Sequence, residues 1–354
     1  MAAQADQIES MSEPDTILSV RDTDVIFDME RGESKVLNGV SMDVKRGEIL
    51  GVVGESGSGK SMFASAMLDA VVDPGQLSGS IRYFPNDGVD EYVEILSLSK
   101  TALKKLRWEE ISMVFQGAMS SFNPTMSLRE HFVETLDAHN ADQEAGLERT
   151  RELLSDLYLE PDRVLSSYPH ELSGGMRQRA LIALSLVLEP EVLVMDEPTA
   201  ALDLLMQRSI LTLLEDLKEK YDLTVVFITH DLPLVAGLAD RLAVMYAFEF
   251  VEVGPSNDLI RNAAHPYTRS LLKAVPNLNA TLGSMRPIEG RAPDPVNVPS
   301  GCSYHPRCPV ADRQCEEAHP ALEKRDTDHP VACFYPERSR DQIEYVLDTG
   351  ESYE

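Results

Sequence analysis

The sequence lacks cysteine over its first 301 residues, and it contains one tryptophan in 354 residues. It also has no apolar run of about 18 to 20 residues, the length that a membrane-crossing helix needs. The opening stretch, Met1 to Glu13, has neither the basic start nor the apolar core of a signal peptide. We therefore expect a cytoplasmic chain without direct membrane insertion, which reaches a membrane only through partner proteins.

Basic side chains are scarce, since 32 Lys and Arg stand against 59 Asp and Glu, for a formal net charge of −27. An acidic surface is a poor match for nucleic acid, so we expect no nucleic-acid partner. It would also be repelled by anionic lipid. A heavily hydrated surface adapted to high salt, where screening weakens self-repulsion, explains this balance better than an acid-specific binding role. The composition therefore predicts a halophilic source.

Short apolar runs alternate with helical stretches along the chain. The run Ile49 to Val53 is apolar on both faces, like a buried parallel strand, and leads through a glycine-rich loop to a predicted helix, Ser61 to Ala70. Val192 to Met195 and Thr224 to Ile228 are further runs of this kind, separated by the amphipathic stretch Gln207 to Tyr221. This alternation predicts an α/β core with a parallel sheet.

Other stretches of the chain have different patterns. The opening, Ile17 to Gly51, carries short β-type runs broken by turns, and Asn86-Asp87-Gly88 predicts a hairpin turn. From about residue 101 to residue 188 the pattern is mainly helical. After Gly254 the chain becomes rich in Pro, Asn and Arg, and this shift in composition predicts a separate C-terminal region.

The glycine-rich loop fits the phosphate-binding pattern G-x-x-x-x-G-K-[ST]. Its glycines let the backbone curl so that N–H groups face phosphate oxygens at a helix N-terminus. Lys60 can then reach the β- and γ-phosphates, and the Ser61 hydroxyl can ligate Mg²⁺. The loop consists of Gly54, Glu55, Ser56, Gly57, Ser58, Gly59, Lys60 and Ser61.

Two other strand ends carry polar side chains. Leu193 to Glu197 is an apolar run that ends in two carboxylates; such a strand delivers Asp196 to a Mg²⁺ site and places Glu197 to act as general base on the attacking water. His230 also closes a buried strand, whose C-terminal edge is expected to face the same phosphate site. A lone histidine is more often just a satisfied polar residue, so this assignment depends on that geometry.

A second anion-binding pattern occurs at Leu172-Ser173-Gly174-Gly175-Met176, where small residues begin a helix. One chain does not need two such sites for one nucleotide. With these motifs in this order, residues 17–260 resemble the ATPases of ABC transporters, whose signature is L-S-G-G-Q. The resemblance implies a RecA-like P-loop ATPase core with an N-terminal antiparallel β-subdomain and an inserted helical subdomain, about residues 101–188. A C-terminal extension over residues 261–354 would follow.

The resemblance implies ATP and Mg²⁺ as ligands and gives the signature residues a role across a dimer. Ser173, Gly174 and Gly175 would bind nucleotide, with Ser173 and Gly175 on the γ-phosphate held by the opposite subunit of a head-to-tail pair. Ala201-Leu202-Asp203 resembles the D-loop that links the two sites.

Three further residues take roles from the resemblance. Gln116 would sense Mg²⁺ and the attacking water, His230 would be the switch histidine on the γ-phosphate, and Phe27 would stack on adenine. Two positions depart from the general pattern: Met176 replaces the final Gln of the signature, and Gly117 replaces an acidic residue often found after the Q-loop glutamine. Neither change removes a catalytic group, and the Met form is typical of the peptide-importer branch.

The tail also resembles that branch, in His265-Pro266-Tyr267, in the run Leu271 to Pro276, and in its cysteines. In a cytosolic protein, clustered cysteines predict a metal site more than disulfides. Four thiolates can hold an iron–sulfur cluster or zinc, although zinc sites prefer C-x₂₋₄-C pairs, which this sequence lacks. The branch implies a [4Fe–4S] cluster, with zinc or ordinary thiols as alternatives. The spacing is Cys302-x5-Cys308-x6-Cys315-x17-Cys333.

The resemblance implies an ATP-hydrolysing subunit, peripheral on the cytoplasmic face of the cell membrane, that energises import of dipeptides and oligopeptides. The implied partners are a second ABC ATPase subunit (a sister chain), two membrane permease subunits and an external solute-binding protein. Sugars or nickel are alternative cargoes, because relatives of the branch import them. A non-transport ABC ATPase would need tandem cassettes or a coiled coil, which are missing here. A non-catalytic cassette conflicts with the intact Lys60, Asp196, Glu197 and His230.

Overall fold

The computed structural model describes residues 15–86, 91–117, 121–200, 202–274, 288–324 and 329–345. Several predicted features lie outside these residues, namely Asp87 and Gly88 of the hairpin turn, Ala201 of the D-loop motif, and Val275 and Pro276 of the tail. The described strands are β1 Thr16–Met29, β2 Gly32–Lys45, β3 Ile49–Val53, β4 Gln76–Tyr83, β5 Val93–Glu94, β6 Ile111–Val114, β7 Val192–Asp196, β8 Thr224–Thr229, β9 Arg241–Tyr246 and β10 Glu249–Pro255.

Helices cover the sheets and build the middle of the chain. The described α-helices are α1 Lys60–Met67, α2 Lys100–Glu109, α3 Leu128–Ala138, α4 Gln143–Asp156, α5 Pro161–Ser166, α6 Gly174–Leu186, α7 Leu204–Tyr221, α8 Leu232–Ala236, α9 Ser256–Asn262, α10 Pro266–Ala274, α11 Arg313–Glu317 and α12 Pro336–Gln342. No helix within the described ranges is both long enough and apolar enough to cross a membrane.

The strands form two sheets. An antiparallel sheet has the order β2-β1-β4-β5, and a larger sheet has the order β10-β9-β3-β8-β7-β6. In the larger sheet β9, β3, β8, β7 and β6 are parallel, and β10 pairs antiparallel with β9. The predicted α/β core with an antiparallel β-subdomain is confirmed.

The central strands are buried on both faces, as their apolar runs predict. In β3, Leu50 and Val52 enter the core shared with the antiparallel sheet, while Ile49 and Val53 enter the core on the opposite side. The strands β7 and β8 alternate between the same two cores. This period of two fixes which face of each strand meets which layer.

The element boundaries differ from the sequence prediction for local reasons. α1 ends before Ala70 because Asp69 adopts a positive φ of 49°. α7 begins three residues before Gln207 because the Asp203 side chain accepts hydrogen bonds from the Leu205 and Met206 N–H groups. Within the stretch predicted as mainly helical, β6 forms the end strand of the larger sheet.

The helices α3 to α6 pack around a shared apolar core, which includes Leu128, Phe132 and Leu153. α3 begins at a capping box, in which Ser127 accepts from the Glu130 N–H and Glu130 accepts from the Ser127 N–H. These helices form the part of the molecule that carries the signature motif at the start of α6.

The C-terminal residues pack onto the larger sheet through buried polar groups. Glu252 in β10 is fully buried, and its carboxylate accepts from the Ala264 and His265 N–H groups and contacts His329. Main-chain bonds also join Val253 N–H to the Pro330 carbonyl and the Ala332 N–H to the Val251 carbonyl.

We predict that Gly51→Ala destabilises the fold while Gly237→Ala does not. A Cβ at Gly51 would lie 2.6 Å from the Leu242 side chain and 2.9 Å from Val235, so overpacking should lower the free energy of unfolding by about 1–3 kcal/mol. At Gly237 nothing lies within 4 Å of a Cβ, and the backbone is right-handed helical. Chemical denaturation of the two variants checks this; equal stability would contradict the packing at Gly51.

Candidate functional site

The loop after β3 curls because two of its glycines are left-handed, with φ of 82° at Gly57 and 107° at Gly59. A Cβ at Gly54 would lie 2.2 Å from the Met245 carbonyl oxygen, so the loop passes too close to β9 for a larger residue. α1 starts at Lys60, and no side chain caps its N-terminus. The first N–H groups of α1 therefore stay open to an anion.

Lys60 lies inside the curl of this loop. The residue is 5% exposed, and its Nζ donates to the Gly54 and Glu55 carbonyl oxygens at 2.8 Å each. Burial lowers the pKa of Lys60, and the negative charges of Glu197, Asp196 and Glu55 oppose that shift. A buried ammonium held by carbonyls can exchange them for phosphate oxygens when nucleotide enters.

Asp196 ends β7 near the Ser61 hydroxyl, which helps to stabilise the charged carboxylate. The residue is 3% exposed, and its Oδ1 has no hydrogen-bond partner among the described residues. Burial raises the pKa of Asp196, and the nearby Ser61 hydroxyl opposes this shift. A buried carboxylate oxygen without a partner, next to a hydroxyl, fits the oxygen ligands of Mg²⁺. Ser61 and Asp196 would hold the ion.

Glu197 brings the three predicted catalytic residues together. Its backbone has a φ of 47°, and its N–H donates to the Ile228 carbonyl at 2.9 Å. The carboxylate accepts from Gln116 Nε2 at 3.0 Å and lies 3.1 Å from His230 Nδ1. A left-handed non-glycine residue costs about 1–2 kcal/mol, and such strain is common at catalytic positions. The roles of Gln116 as a Mg²⁺ ligand and of His230 as a switch stay predictions.

The signature residues contact other groups. Ser173 caps α6 by accepting from the Met176 N–H at 3.3 Å. A Cβ at Gly175 would lie 1.7 Å from Met206 Cε, so Gly175 packs against the start of α7. The described contacts of Ser173 and Gly175 thus go to α6 and α7 and not to the phosphate loop, which is compatible with the predicted role across a dimer. Gly174 is half-buried beside them.

Asp203 also lies at the start of α7, where its carboxylate caps the helix. The two residues that follow are large and exposed, with Leu204 at 72% and Leu205 at 80%. Exposed leucines next to a predicted D-loop indicate a surface that another chain covers.

Phe27 is half-buried in β1. Its ring lies over Gly75, where a Cβ would be 2.6 Å from the ring Cζ, and it packs on the core between the two sheets. Its stacking on adenine stays a prediction.

Sequence reasoning missed two residues that hold the phosphate loop from outside. The Tyr267 hydroxyl accepts from the Glu55 N–H at 2.7 Å, and Arg307 donates to both carboxylate oxygens of Glu55 at 2.7 and 2.9 Å. Because Glu55 and Arg307 are 252 residues apart, no local pattern reveals their pairing. Tyr267 belongs to the His265-Pro266-Tyr267 motif, which carried no site assignment.

The four cysteines line one small cavity of about 10 Å³, and all four are free thiols. Burial raises the pKa of each thiol, to about 12 for Cys308 and Cys333. Across the described ranges, no three His, Cys, Asp or Glu side chains have the geometry of a metal site. The structure thus gathers Cys302, Cys308, Cys315 and Cys333 without arranging them as a closed ligand set.

The fold and this geometry define a P-loop ATPase of the ATP-binding-cassette class. The chain matches the family described as ABC transporter over residues 37–200, and the family described as oligopeptide/dipeptide transporter, C-terminal region, over residues 251–315. It is 40% identical over 327 residues to the dipeptide transport ATP-binding protein DppD of Caldanaerobacter subterraneus, which covers 92% of this chain and 98% of the relative.

Two other similarities agree with this class. The oligopeptide transport ATP-binding protein OppD of Escherichia coli is 40% identical over 329 residues, covering 92% of this chain and 95% of the relative. The dimeric structure of MJ0796, a bacterial ABC transporter cassette, matches with a TM-score of 0.57 and 25% identity, over 68% of this chain and 99% of that chain. The chain belongs to the ABC transporter ATP-binding proteins with an oligopeptide/dipeptide transporter C-terminal region, and it is an ATPase coupled to transport.

We predict that Glu197→Gln lowers the rate of ATP turnover by about 10²- to 10⁴-fold, because the amide cannot accept a proton from water. Nucleotide binding should persist, since Lys60 and Asp196 are untouched. Phosphate release and equilibrium binding of labelled ATP check both parts. Glu219→Gln, the same change on an exposed position of α7, is the matched control. Rapid turnover by Glu197→Gln would refute the role of Glu197 as base.

Proposed function

We propose that this chain hydrolyses ATP to energise an importer of dipeptides and oligopeptides. The observation that carries the proposal is that one chain joins a complete set of hydrolytic residues to a C-terminal region of the oligopeptide/dipeptide transporter type. Relatives named for dipeptide and oligopeptide transport align along more than nine tenths of their own length. The chain would therefore serve the same kind of cargo.

In hydrolysis, Lys60 binds the β- and γ-phosphate oxygens. Ser61 and Asp196 would hold Mg²⁺, which would supply positive charge to offset the charge of the phosphates. A water oxygen attacks the γ-phosphorus, and Glu197 accepts the proton that the water loses. The bond from the γ-phosphorus to the bridging oxygen breaks, so ADP and phosphate leave. Gln116 and His230 hold the Glu197 carboxylate from two sides.

The site acts as half of a head-to-tail dimer with a second ATPase subunit, which we propose is a sister chain. The solvent-facing Ser173 at the start of α6 supports this, because the partner's nucleotide would cover it. The exposed Leu204 and Leu205 support it too, because the partner chain would cover them. Bound ATP joins the two subunits, and hydrolysis releases them. The free energy of ATP binding thereby becomes a movement of one subunit relative to the other.

That movement reaches two membrane permease subunits through the surface near Gln116 to Pro124. Phe115, beside Gln116, supports this placement because it is 52% exposed, so its ring is available to a partner. The chain would lie on the cytoplasmic face of the membrane without inserting, and an external solute-binding protein would deliver the cargo to the permeases.

We predict that source cells carrying Glu197→Gln in place of the wild type lose uptake of labelled dipeptides and oligopeptides. Cells carrying Glu219→Gln should keep it, and uptake of an unrelated solute should persist in both. The reason is that hydrolysis resets the dimer, so a subunit that binds ATP without cleaving it stalls the importer. If peptide uptake were unchanged while uptake of a sugar or of nickel was lost, the chain would energise an importer, but one with a different cargo.

We further propose that Cys302, Cys308, Cys315 and Cys333 hold a [4Fe–4S] cluster with a structural or regulatory role. Support comes from the four thiols around one cavity, a donor set that suits such a cluster, and from the lack of close cysteine pairs that zinc sites prefer. Bound to all four, a cluster would tie the turn at Cys302 to the segment at Cys333. It lies outside the hydrolytic residues.

We expect anaerobically purified protein to contain about four iron and four sulfide per chain, and Cys308→Ser to lose both. Iron and acid-labile sulfide analysis, together with the visible absorption spectrum, measures this. Ser303→Ala, a change of similar size at a neighbouring buried position, is the control and should retain the iron. Colourless protein without iron would exclude the cluster, and one zinc per chain would establish the alternative metal.

A further inference from the structure

Arg307 is a buried cation between the cysteine region and the phosphate loop. It ends the short turn His305–Arg307, which lies between Cys302 and Cys308 in the sequence, and its side chain is 6% exposed. Its Nε donates to the Glu289 carbonyl at 2.9 Å, and its two terminal nitrogens bond the two carboxylate oxygens of Glu55. A bidentate ion pair of this kind neutralises the Glu55 carboxylate and also fixes its orientation.

Glu55 is the second residue of the phosphate loop, where a negative charge opposes the binding of phosphates. Its backbone carbonyl accepts from Lys60 Nζ at 2.8 Å, so the loop holds this residue directly against Lys60. A carboxylate freed from Arg307 could therefore pair with Lys60 itself. Phosphate would then compete with Glu55 for the cation that should bind it.

Arg307 is held on a rigid support. The rings of Tyr246, Tyr267 and Tyr304 pack together with centroid separations of 4.5 to 5.5 Å. The Arg307 guanidinium lies 5.7 Å from the Tyr246 centroid and 5.9 Å from the Tyr304 centroid. Tyr267 also fixes the backbone of Glu55 through its hydroxyl. Since both ends of the Glu55–Arg307 pair are anchored, the carboxylate direction is set by the surrounding fold.

We propose that Arg307 is a positioning residue for ATP binding, which neutralises Glu55 and keeps its carboxylate away from Lys60. Lys60 is thereby left free to exchange its two carbonyl contacts for phosphate oxygens. The C-terminal extension takes part in the nucleotide site of its own chain through this pair. The inference rests on the ATP site alone and not on the peptide cargo. A negative result in the uptake experiment would therefore leave it standing, and a negative result in the binding experiment would leave the cargo proposal standing.

The test compares full-length purified variants for equilibrium binding of a non-hydrolysable ATP analogue with Mg²⁺, and for thermal unfolding. Arg307→Gln removes the charge and keeps a polar side chain, and we expect binding about tenfold weaker, the scale of a charged hydrogen bond. Adding Glu55→Gln in the same chain removes the unpaired carboxylate and should return the affinity toward that of the wild type. Arg313→Gln, at a side chain that is 87% exposed, is the matched control.

The double variant distinguishes a role of Arg307 in positioning the Glu55 carboxylate from a role only in stabilising the fold. If Arg307 served only to stabilise the fold, a second substitution at Glu55 would leave the binding as weak as in Arg307→Gln. That result, or wild-type binding by Arg307→Gln, would overturn the proposal. In steady-state hydrolysis, KM for ATP should rise about as much as the dissociation constant while kcat changes little, because Glu197 is untouched.

Arg307→Lys provides the conservative variant if Arg307→Gln does not fold. Lysine keeps the charge but cannot form the bidentate pair. We therefore expect the ATP analogue to bind two- to threefold more weakly than to the wild type, with thermal unfolding unchanged. If Arg307→Lys and the wild type bound the ATP analogue with the same affinity, the role of the bidentate guanidinium would be overturned. Weaker binding at unchanged stability would support it.

Discussion

The register of three parallel strands determines where the chemistry of this molecule lies. β3 pairs with β8 from Ile49 opposite Val225 to Val53 opposite Thr229, and β7 pairs with β8 so that Asp196 lies opposite Ile228. The carboxyl ends of these three strands therefore lie side by side. The phosphate loop follows β3, the two carboxylates lie at the end of β7, and His230 follows β8. A shift of one strand by a single residue would turn its apolar side chains to the wrong core and separate Glu197 from His230.

Much of this arrangement could be predicted from local sequence, because the central strands are apolar on both faces and the phosphate loop has a strict glycine pattern. β6 was harder to find, since its four residues lie in a stretch whose neighbours are helical. The exact ends of α1 and α7 depend on Asp69 and Asp203, whose conformations are set by local geometry that periodicity does not describe. Gln116 was identified by family resemblance, as no local pattern marks it.

The contacts that sequence could not supply are those between distant segments. The pairing of Glu55 with Arg307 and the burial of Glu252 beneath His265 and His329 join residues that no periodicity relates. Arg269 likewise donates to the carbonyls of Ala263 and Ile343, linking α10 to the residues after α12. Several buried hydrogen bonds and ion pairs therefore hold the C-terminal residues against the rest of the molecule. The link between the acidic composition and a saline environment stays a prediction.

The bonds from Val251 and Val253 to the segment Pro330–Ala332 have a consequence for synthesis on the ribosome. Chains fold from the N-terminus as they emerge, so β10 is made well before the segment that covers its outer side. Until then it presents unpaired N–H and C=O groups, the kind of edge that recruits strands from other chains. The segment Pro330–Ala332 thus covers this edge, and a nascent chain that stops short of it would leave β10 open to pairing with other chains.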